Sequence, residues 1–332
     1  MKKILKYLFT LSLVVMLSLT SFIGCGQPDK ITVITPDGAP ALSIAKMMSE
    51  NQNFGEEVTY KVIDSTTITN YVPNNSDIAI IPLNAATKLA GDKFKIVAVN
   101  THGNLYVLGK ETITDMNTLI GKKVAVIQYA NVPGLTFRAV LNGNNIPYAQ
   151  IGEINDTIDE TKVNLYGCDP TAVAQLLSSG SVDYALCAEP SVTILTKNLS
   201  AKGIKVCLNL QTAYHDTFNE NYPQAVTIVK KTLIENNPKF VKKFIQGLKE
   251  NDSFLVEDNI ETILSAISSH IEEGLTPVLN GKLNATSMTN CNVKYVDAYS
   301  VKEQIKNYVE KIKLIDATKV NSITDDIFYK AD

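Results

Sequence analysis

The chain has 332 residues, of which 45% are hydrophobic and 20% are charged, and its formal net charge is −3 at pH 7. These values describe an ordinary globular protein with room for two domains. The mildly acidic balance, without a polybasic patch, argues against a nucleic-acid partner. The sequence also lacks the G-x-S-x-G, G-x-x-x-x-G-K-[ST], G-x-G-x-x-G and H-E-x-x-H motifs, so neither a catalytic signature nor a cofactor is predicted.

The N-terminal segment predicts export. Three lysines (Lys2, Lys3 and Lys6) precede an apolar run over residues 7–23. A basic start followed by such a run is typical of a signal peptide. The run is slightly shorter than the roughly 20 apolar residues that a membrane-spanning helix needs, and no second run of that length follows. We therefore expect the body of the protein to lie outside the cytoplasm.

The end of this segment resembles a bacterial lipobox, in which the cysteine sulfur receives a diacylglycerol. Gly24-Cys25 carries the resemblance, although Ile23 departs from the small residue usual two positions before the cysteine. The prediction is a signal peptide over 1–24, lipidation of Cys25 and a polar tether over 25–30, which anchors the protein to a cell membrane of Gram-positive type. The alternatives are an ordinary signal peptide and an uncleaved anchor.

Strand-like apolar runs then alternate with helical patterns, which predicts an α/β fold. Each run ends in a polar or glycine- and proline-rich loop, and residues with the apolar spacing of a helix follow it. The predicted strands are 31–35, 58–63 and 77–82, and the predicted helices begin near 42, 68 and 85.

The same order of elements returns about 106 residues later. The second set of strands is predicted at 123–127, 165–166 and 183–190, with helices that begin at Pro133 and Ala172. The repeat predicts two similar lobes.

A ligand cleft is expected between the lobes, because ligands bind outside the carboxyl ends of the strands in open α/β sheets. The loops expected to face this cleft are 35–40, 65–67, 82–87, 100–104, 128–133, 169–171 and 188–191.

Five stretches carry a family resemblance: Asp37-Gly38-Ala39-Pro40-Ala41-Leu42, Asp77-Ile78-Ala79, Leu119-Ile120-Gly121-Lys122-Lys123-Val124-Ala125-Val126, Val182-Asp183-Tyr184-Ala185 and Glu189-Pro190. In order and spacing they resemble the substrate-binding proteins of bacterial ABC importers for sulfonates, taurine, nitrate and thiamine-pyrimidine precursors. The resemblance covers about residues 30–250. It implies a type II periplasmic-binding-protein fold, which is an α/β fold of two lobes with mostly parallel sheets flanked by helices.

The resemblance also implies a function and a division of the chain. The expected role is a lipid-anchored binding protein, not an enzyme, that delivers a small molecule to the permease subunits of an ABC importer. A biosynthetic enzyme on the same fold and a sensor lipoprotein without transport are the alternatives. Residues 31–104 and 226–332 are expected in lobe 1 and 105–225 in lobe 2. The tail is expected to close lobe 1 with helices, one of which presents Val301, Ile305, Tyr308 and Ile312.

Candidate ligand contacts come from the loops that follow the predicted strands. Small residues after the first strand let the backbone approach a ligand, and hydroxyl, amide and carboxylate groups in the other loops offer hydrogen bonds. Most have a structural alternative as a turn or helix cap. The candidates are Asp37, Gly38, Ala39, Pro40, Ser65, Thr66, Thr67, Asn84, Thr87, His102, Gln128, Tyr129, Asn131 and Glu189.

Two of these candidates, and one further residue, have specific alternatives. Glu189 is either an acceptor for an amino or amidine group or a surface glutamate at a turn. His102 is either a ligand donor or a hinge or surface histidine. Arg138, the sole arginine of the chain, is expected in a surface or inter-helix ion pair. No metal site is predicted, since the three histidines lie far apart and no C-x-x-C pair occurs.

The ligand class rests on weaker signals. Tyr129, Tyr166 and Tyr214, together with Glu189, favour an aromatic or heterocyclic ligand of the thiamine-precursor kind. A small anion stays open as the alternative, because backbone N–H groups at helix N-termini can bind it without arginine. The four cysteines after Cys25 are expected to be free buried thiols in preference to two disulfides; they are Cys168, Cys187, Cys207 and Cys291.

Overall fold

The computed structural model describes residues 30–279 and 283–330. The predicted signal peptide, the lipidation site Cys25 and the tether up to residue 29 lie outside the described residues. Within the described part of the chain, the strands form two six-stranded sheets. No helix among these residues is both long and apolar enough to cross a membrane.

The first sheet has the strand order β12-β4-β11-β3-β1-β2. The central strand β3 is buried almost throughout, because helices cover both faces of the sheet. The strands are β1 (Lys30–Pro36), β2 (Glu57–Ile63), β3 (Ile78–Pro82), β4 (Phe94–His102), β11 (Pro223–Lys230) and β12 (Val293–Asp297).

The second sheet has the order β10-β5-β9-β6-β8-β7. Its strands are β5 (Leu105–Gly109), β6 (Lys123–Ile127), β7 (Tyr148–Ile151), β8 (Val163–Cys168), β9 (Tyr184–Ala188) and β10 (Lys205–Asn209). Five strands of each sheet correspond in order, with β2-β1-β3-β11-β4 matching β8-β6-β9-β5-β10. The predicted repeat of the strand plan is therefore present in two separate sheets.

Both sheets are mixed. The repeated strands β1–β3 and β6–β9 pair in parallel. The strands at the other end of each sheet pair antiparallel. Two of these, β5 and β11, start directly after the chain has crossed from the other sheet, and so they run against their neighbours. The predicted boundary at 225/226 falls within β11, and the exact division of the chain into lobes stays a prediction.

The repeated aspartates have the same role in both sheets. Asp77 accepts a hydrogen bond from the Thr32 backbone N–H at 2.9 Å, and Asp183 accepts one from the Lys123 N–H at 2.8 Å. In each case the aspartate lies just before the third repeated strand and binds the start of the first. Asp77 also forms an ion pair with Lys230 at 3.0 Å. The repeat thus includes the contacts that set strand register.

Helices flank both sheets and occupy the positions that the sequence predicts for the first repeated units. Pro133 lies in the first turn of its helix, where proline is favoured. The helices are α1 (Ala39–Leu42), α2 (Ala45–Ser49), α3 (Ile68–Asn75), α4 (Leu83–Leu89), α5 (Val132–Gly143), α6 (Val173–Ser179), α7 (Ser191–Asn198), α8 (Leu210–Phe218), α9 (Lys231–Asn236), α10 (Pro238–Asn251), α11 (Ile260–Ser269), α12 (Ala285–Asn290) and α13 (Lys302–Ile315).

The last helix differs from the expectation that the tail closes lobe 1. Ile305, Tyr308 and Ile312 are buried as predicted, whereas Val301 is only partly buried. However, α13 packs on α5, which belongs to the half of the chain that carries the second sheet. The Tyr308 hydroxyl forms a buried hydrogen bond of 2.7 Å with Thr136 of α5. The tail therefore joins the two halves of the molecule.

Candidate ligand-binding site

The site is built from the carboxyl ends of strands in both sheets. A cavity of about 130 Å³ lies between them. Each of the seven loops expected to face the cleft contributes at least one residue to its wall. Five prolines supply much of the apolar surface, and they are Pro36, Pro40, Pro82, Pro133 and Pro170.

The loop after β1 forms one wall of the cavity. Gly38 has φ = 104°, a conformation that residues with a β-carbon rarely adopt. Asp37 is 6% exposed, and its carboxylate accepts hydrogen bonds from the backbone N–H groups of Gly38 at 2.7 Å and of Val278 at 2.5 Å. Burial raises the pKa of Asp37, while these two hydrogen bonds act in the opposite direction. Ala39 and Pro40 complete this wall.

A hydrogen bond joins the two sides of the cavity. Gln128, in the loop after β6, donates from Nε2 to the Ser65 hydroxyl in the loop after β2 at 3.2 Å. Both side chains line the cavity. Gln128 has φ = 45°, a left-handed conformation that is uncommon for residues other than glycine. The loop therefore holds an unfavourable backbone geometry at the point where it meets the opposite lobe.

Glu189 is buried, which excludes the alternative of a surface glutamate. It is 3% exposed and lies directly after β9. Its carboxylate accepts from the Thr193 N–H at 3.0 Å and from the Thr193 hydroxyl at 2.8 Å, so it caps α7. Asn290 of α12 donates to the same carboxylate at 3.4 Å. Glu189 is thus a helix cap, a cavity wall and a contact between the two halves of the chain.

Three other candidates lie around a second, more open cavity of about 460 Å³ next to the first. Thr66, Tyr129 and Asn131 line this outer cavity, and Gln128 and Pro170 belong to the walls of both. Among the described residues, the inner cavity is therefore lined without an aromatic side chain, and Tyr129 lies at the outer cavity instead. Tyr214, also expected to favour an aromatic ligand, is fully buried in the core against Phe218, Tyr222 and Tyr308.

Arg138 holds the loop that carries Tyr129. The guanidinium lies 4.3 Å from the centre of the Tyr129 ring and donates to the Tyr129 carbonyl at 3.2 Å. It also donates from Nε to the Gly134 carbonyl at 3.2 Å. Arg138 is 7% exposed. The expected surface or inter-helix ion pair is therefore replaced by contacts with backbone carbonyls and an aromatic ring, which sequence spacing does not reveal.

The remaining four candidates do not reach the inner cavity. The Thr67 hydroxyl bonds the Asp64 carbonyl, and Thr87 is buried against the Asn84 carbonyl at 2.8 Å. Asn84 donates to Asn131 across the cleft at 3.4 Å. His102 contacts the Lys294 carbonyl at 3.2 Å through Nε2, on the edge of the first sheet. Burial lowers the pKa of His102.

Several lining residues escape the sequence prediction. Asn104 falls in a predicted loop but lacks a motif that singles it out, Gln224 follows a stretch without strand or cap signals, and Val278 comes from the tail. Cys187 also lines the cavity.

The four cysteines of the described chain are free, as expected, although Cys168 is only partly buried. Burial raises the pKa of Cys168 to about 11 and that of Cys187 further.

Comparison with known proteins identifies the family. The family model described as "NMT1/THI5 like" matches residues 64–259, which is more than half of the chain. The chain belongs to the NMT1/THI5-like family. The match to this family includes the repeated aspartates, the Gln128 loop and Glu189. No curated protein matches the sequence closely enough to count as a relative.

Solved structures share the fold of this NMT1/THI5-like protein. An ABC transporter from Parabacteroides distasonis is 19% identical, with a TM-score of 0.69 over 91% of this chain and 99% of that chain. The periplasmic aliphatic sulphonate binding protein SsuA from Escherichia coli is 13% identical, with a TM-score of 0.64 over 92% of this chain and 94% of that chain. The expected two-lobed binding-protein fold is confirmed.

Proposed function

We propose that this protein is an extracytoplasmic solute-binding protein, held on the membrane by a lipid on Cys25, which delivers a small molecule to an ABC permease. The cavity between the ends of two separate sheets carries this proposal. Its position is the one at which open α/β sheets bind ligands. The two lobes would close about the segments where the chain passes from one sheet to the other. The extent of closure then depends on how much more tightly the ligand binds the closed form than the open form.

The cavity size limits the ligand to a small molecule with one ring. Its volume of about 130 Å³ is close to the ~150 Å³ of an engineered apolar cavity that binds benzene. Proline, valine and isoleucine side chains supply apolar contacts, in place of the tyrosines that the sequence predicts. We propose Asp37, Gly38, Ala39, Pro40, Ser65, Gln128 and Glu189 as ligand contacts from the original candidates.

The charges on the wall favour a neutral or cationic heterocycle over a small anion. Asp37 and Glu189 place two carboxyl groups on the cavity, whereas no lysine, arginine or histidine among the described residues lines it. A sulfonate or nitrate in this position would face like charges without a cationic partner. Therefore we favour a nitrogen heterocycle, although SsuA, whose fold is similar, is named for aliphatic sulphonate.

A thermal-shift panel tests the function and the ligand class together. The panel contains aminopyrimidines, other nitrogen heterocycles, alkanesulfonates, taurine and nitrate. A saturating ligand raises the free energy of unfolding by RT ln(1 + [L]/Kd), which is about 2.7 kcal/mol at 100 times Kd. We expect stabilisation by heterocycles with N–H donors. Stabilisation by sulfonates or nitrate alone would overturn the ligand class, and no stabilisation by any compound would count against solute binding.

The anchor and the permease require tests in the producing cell. With Cys25→Ser we expect export without lipidation, measured by detergent partitioning and by the mass of the mature N-terminus. An unchanged membrane fraction that retains the intact leader would contradict the lipid anchor. We expect permease subunits to co-purify with the wild-type protein. If none co-purify, a sensor role without transport is favoured.

A further inference from the structure

The inner cavity, of about 130 Å³, and the outer cavity, of about 460 Å³, meet along a boundary that can be followed through the loops. In the loop after β2, Ser65 lines the inner cavity and the next residue, Thr66, lines the outer one. At the end of β6, Ile127 lines the inner cavity, Tyr129 lines the outer one, and Gln128 between them lines both. The boundary therefore lies at Gln128 on one side of the cleft and beside Ser65 on the other.

A side-chain hydrogen bond spans this boundary. Gln128 Nε2 donates to the Ser65 hydroxyl at 3.2 Å, and the two residues belong to loops of different sheets. Both residues are half-buried, so the bond lies at the surface of the cavities and not in the core. Among the described residues, Pro170 is the other one that lines both cavities. The ring of a proline is fixed to its backbone, so the long side chain of Gln128 is the part of the boundary that can change.

The backbone that carries this side chain is held in place. The Gln128 carbonyl accepts from the Asn131 N–H at 2.8 Å, and the carbonyl of the next residue, Tyr129, accepts from Arg138 at 3.2 Å. Gln128 itself has φ = 45°. Because the loop is fixed by these contacts, the length of the Gln128 side chain decides how far the boundary is closed. Shortening the side chain should open the boundary and leave the loop where it is.

We propose that Gln128 sets the upper size limit of the ligand, because its side chain, bonded to Ser65, separates the inner cavity from the outer one. This inference rests on the proposed solute-binding function and adds the residue that restricts the length of the ligand. The inner cavity holds a single small ring or a short chain. A longer ligand fits only where its remainder extends past Gln128 into the outer cavity.

The test measures affinity against ligand length by titration calorimetry on the full-length protein. Two series of probes are used, 4-(alkylamino)pyrimidines from methyl to hexyl and alkanesulfonates from methanesulfonate to hexanesulfonate, so that the result does not depend on the ligand class. Gln128→Ala removes the side chain that spans the boundary. Gln128→Gly is the second variant, because glycine adopts φ = 45° without strain.

Leu195→Ala is the matched control. Leu195 has a side chain of similar size and lines the inner cavity, but it does not line the outer one. Its truncation therefore enlarges the inner cavity away from the boundary. Unfolding curves of all three variants check that each is folded at the temperature of the titration.

We expect the wild type to bind the short members of one series and to lose affinity about ten-fold or more at the chain length that no longer fits. Both Gln128 variants should lose this cut-off, so that they bind the longer probes about ten-fold or more tightly than the wild type does. Leu195→Ala should keep a cut-off. A wild type without a cut-off, a cut-off that survives in both Gln128 variants, or one that Leu195→Ala also abolishes would overturn the proposal.

Failure of the inference is distinguishable from failure of the proposed function. If the wild type binds a short probe and the cut-off does not depend on Gln128, the role of Gln128 is overturned and solute binding stands. If no probe of either series binds to the wild type, the role of Gln128 falls, and the thermal-shift panel decides whether solute binding falls with it.

Discussion

Replacing Gly134 with alanine tests the packing that holds the Gln128 loop against α5. A β-carbon at position 134 would lie 2.3 Å from the Tyr129 carbonyl oxygen and 2.5 Å from its Cα. These are backbone atoms, so rotation of a side chain cannot relieve the contact. The loop has to move, and with it the Tyr129 carbonyl that Arg138 binds at 3.2 Å.

The expected magnitude follows from two opposing effects. Alanine in a helix is more favourable than glycine by up to about 1 kcal/mol. Overpacking costs about 1–3 kcal/mol, and contact with backbone places this case at the upper end. We therefore expect Gly134→Ala to lower the free energy of unfolding by about 2 kcal/mol in urea denaturation, with an unchanged m value. Ligand affinity should also fall, because Gln128 lines the cavity.

A second glycine provides the control. In Gly247→Ala, within α10, the new β-carbon meets only the ends of side chains, with Met47 Sδ at 3.0 Å and Phe54 Cζ at 3.1 Å. These neighbours can move, so the free energy of unfolding should stay within about 1 kcal/mol of the parent. If Gly134→Ala instead stabilises the protein by about 1 kcal/mol, as at an ordinary helix position, the close approach is wrong.

Three further predictions concern stability. Thr136→Val should lower the free energy of unfolding by about 1–3 kcal/mol, because it leaves the Tyr308 hydroxyl unpaired, and adding Tyr308→Phe should restore part of that loss. Additive losses in urea denaturation would contradict the hydrogen bond between the two side chains. Burial lowers the pKa of His102 in the folded protein, so the unfolded chain binds the proton at a higher pH than the folded chain does. The free energy of unfolding should therefore decrease as pH falls below about 6.5. A His102→Gln variant with the same pH profile would reject this. Asp183→Ala should cost about 1 kcal/mol through its bond to Lys123, and no change would show that solvent replaces it.

The repeat was predictable because its signals are local. Apolar runs, caps and turns recur in the same order, and the repeated strands lie where those patterns place them. Asp77 and Asp183 were visible as a spacing, whereas their hydrogen bonds to the first strands required the structure. The antiparallel strands β5 and β11 were harder to place, since their partners are set by how the chain crosses between sheets.

The site was predictable as a set of loops and less so as side chains. Loops follow strands, and strand ends meet at one edge of a parallel sheet, so the seven loops could be named in advance. Which side chain points inward depends on contacts between distant segments. Tyr129 lines the outer cavity, where Arg138 stacks on its ring, and the side chain of Asn104 is held by the Cys291 carbonyl.

The strand order of the first sheet also constrains when it can form. β4 ends at residue 102, but both of its neighbours, β11 and β12, start at residue 223 or later. The second sheet, in contrast, needs only residues 105–209. A chain that emerges N-terminus first can complete the second sheet while β3 still lacks its second neighbour, β11, and β4 lacks both of its neighbours. Long-range pairing is slow because the intervening loop must close, so completion of the first sheet is the later event. A fragment that ends near residue 104 would expose open strand edges.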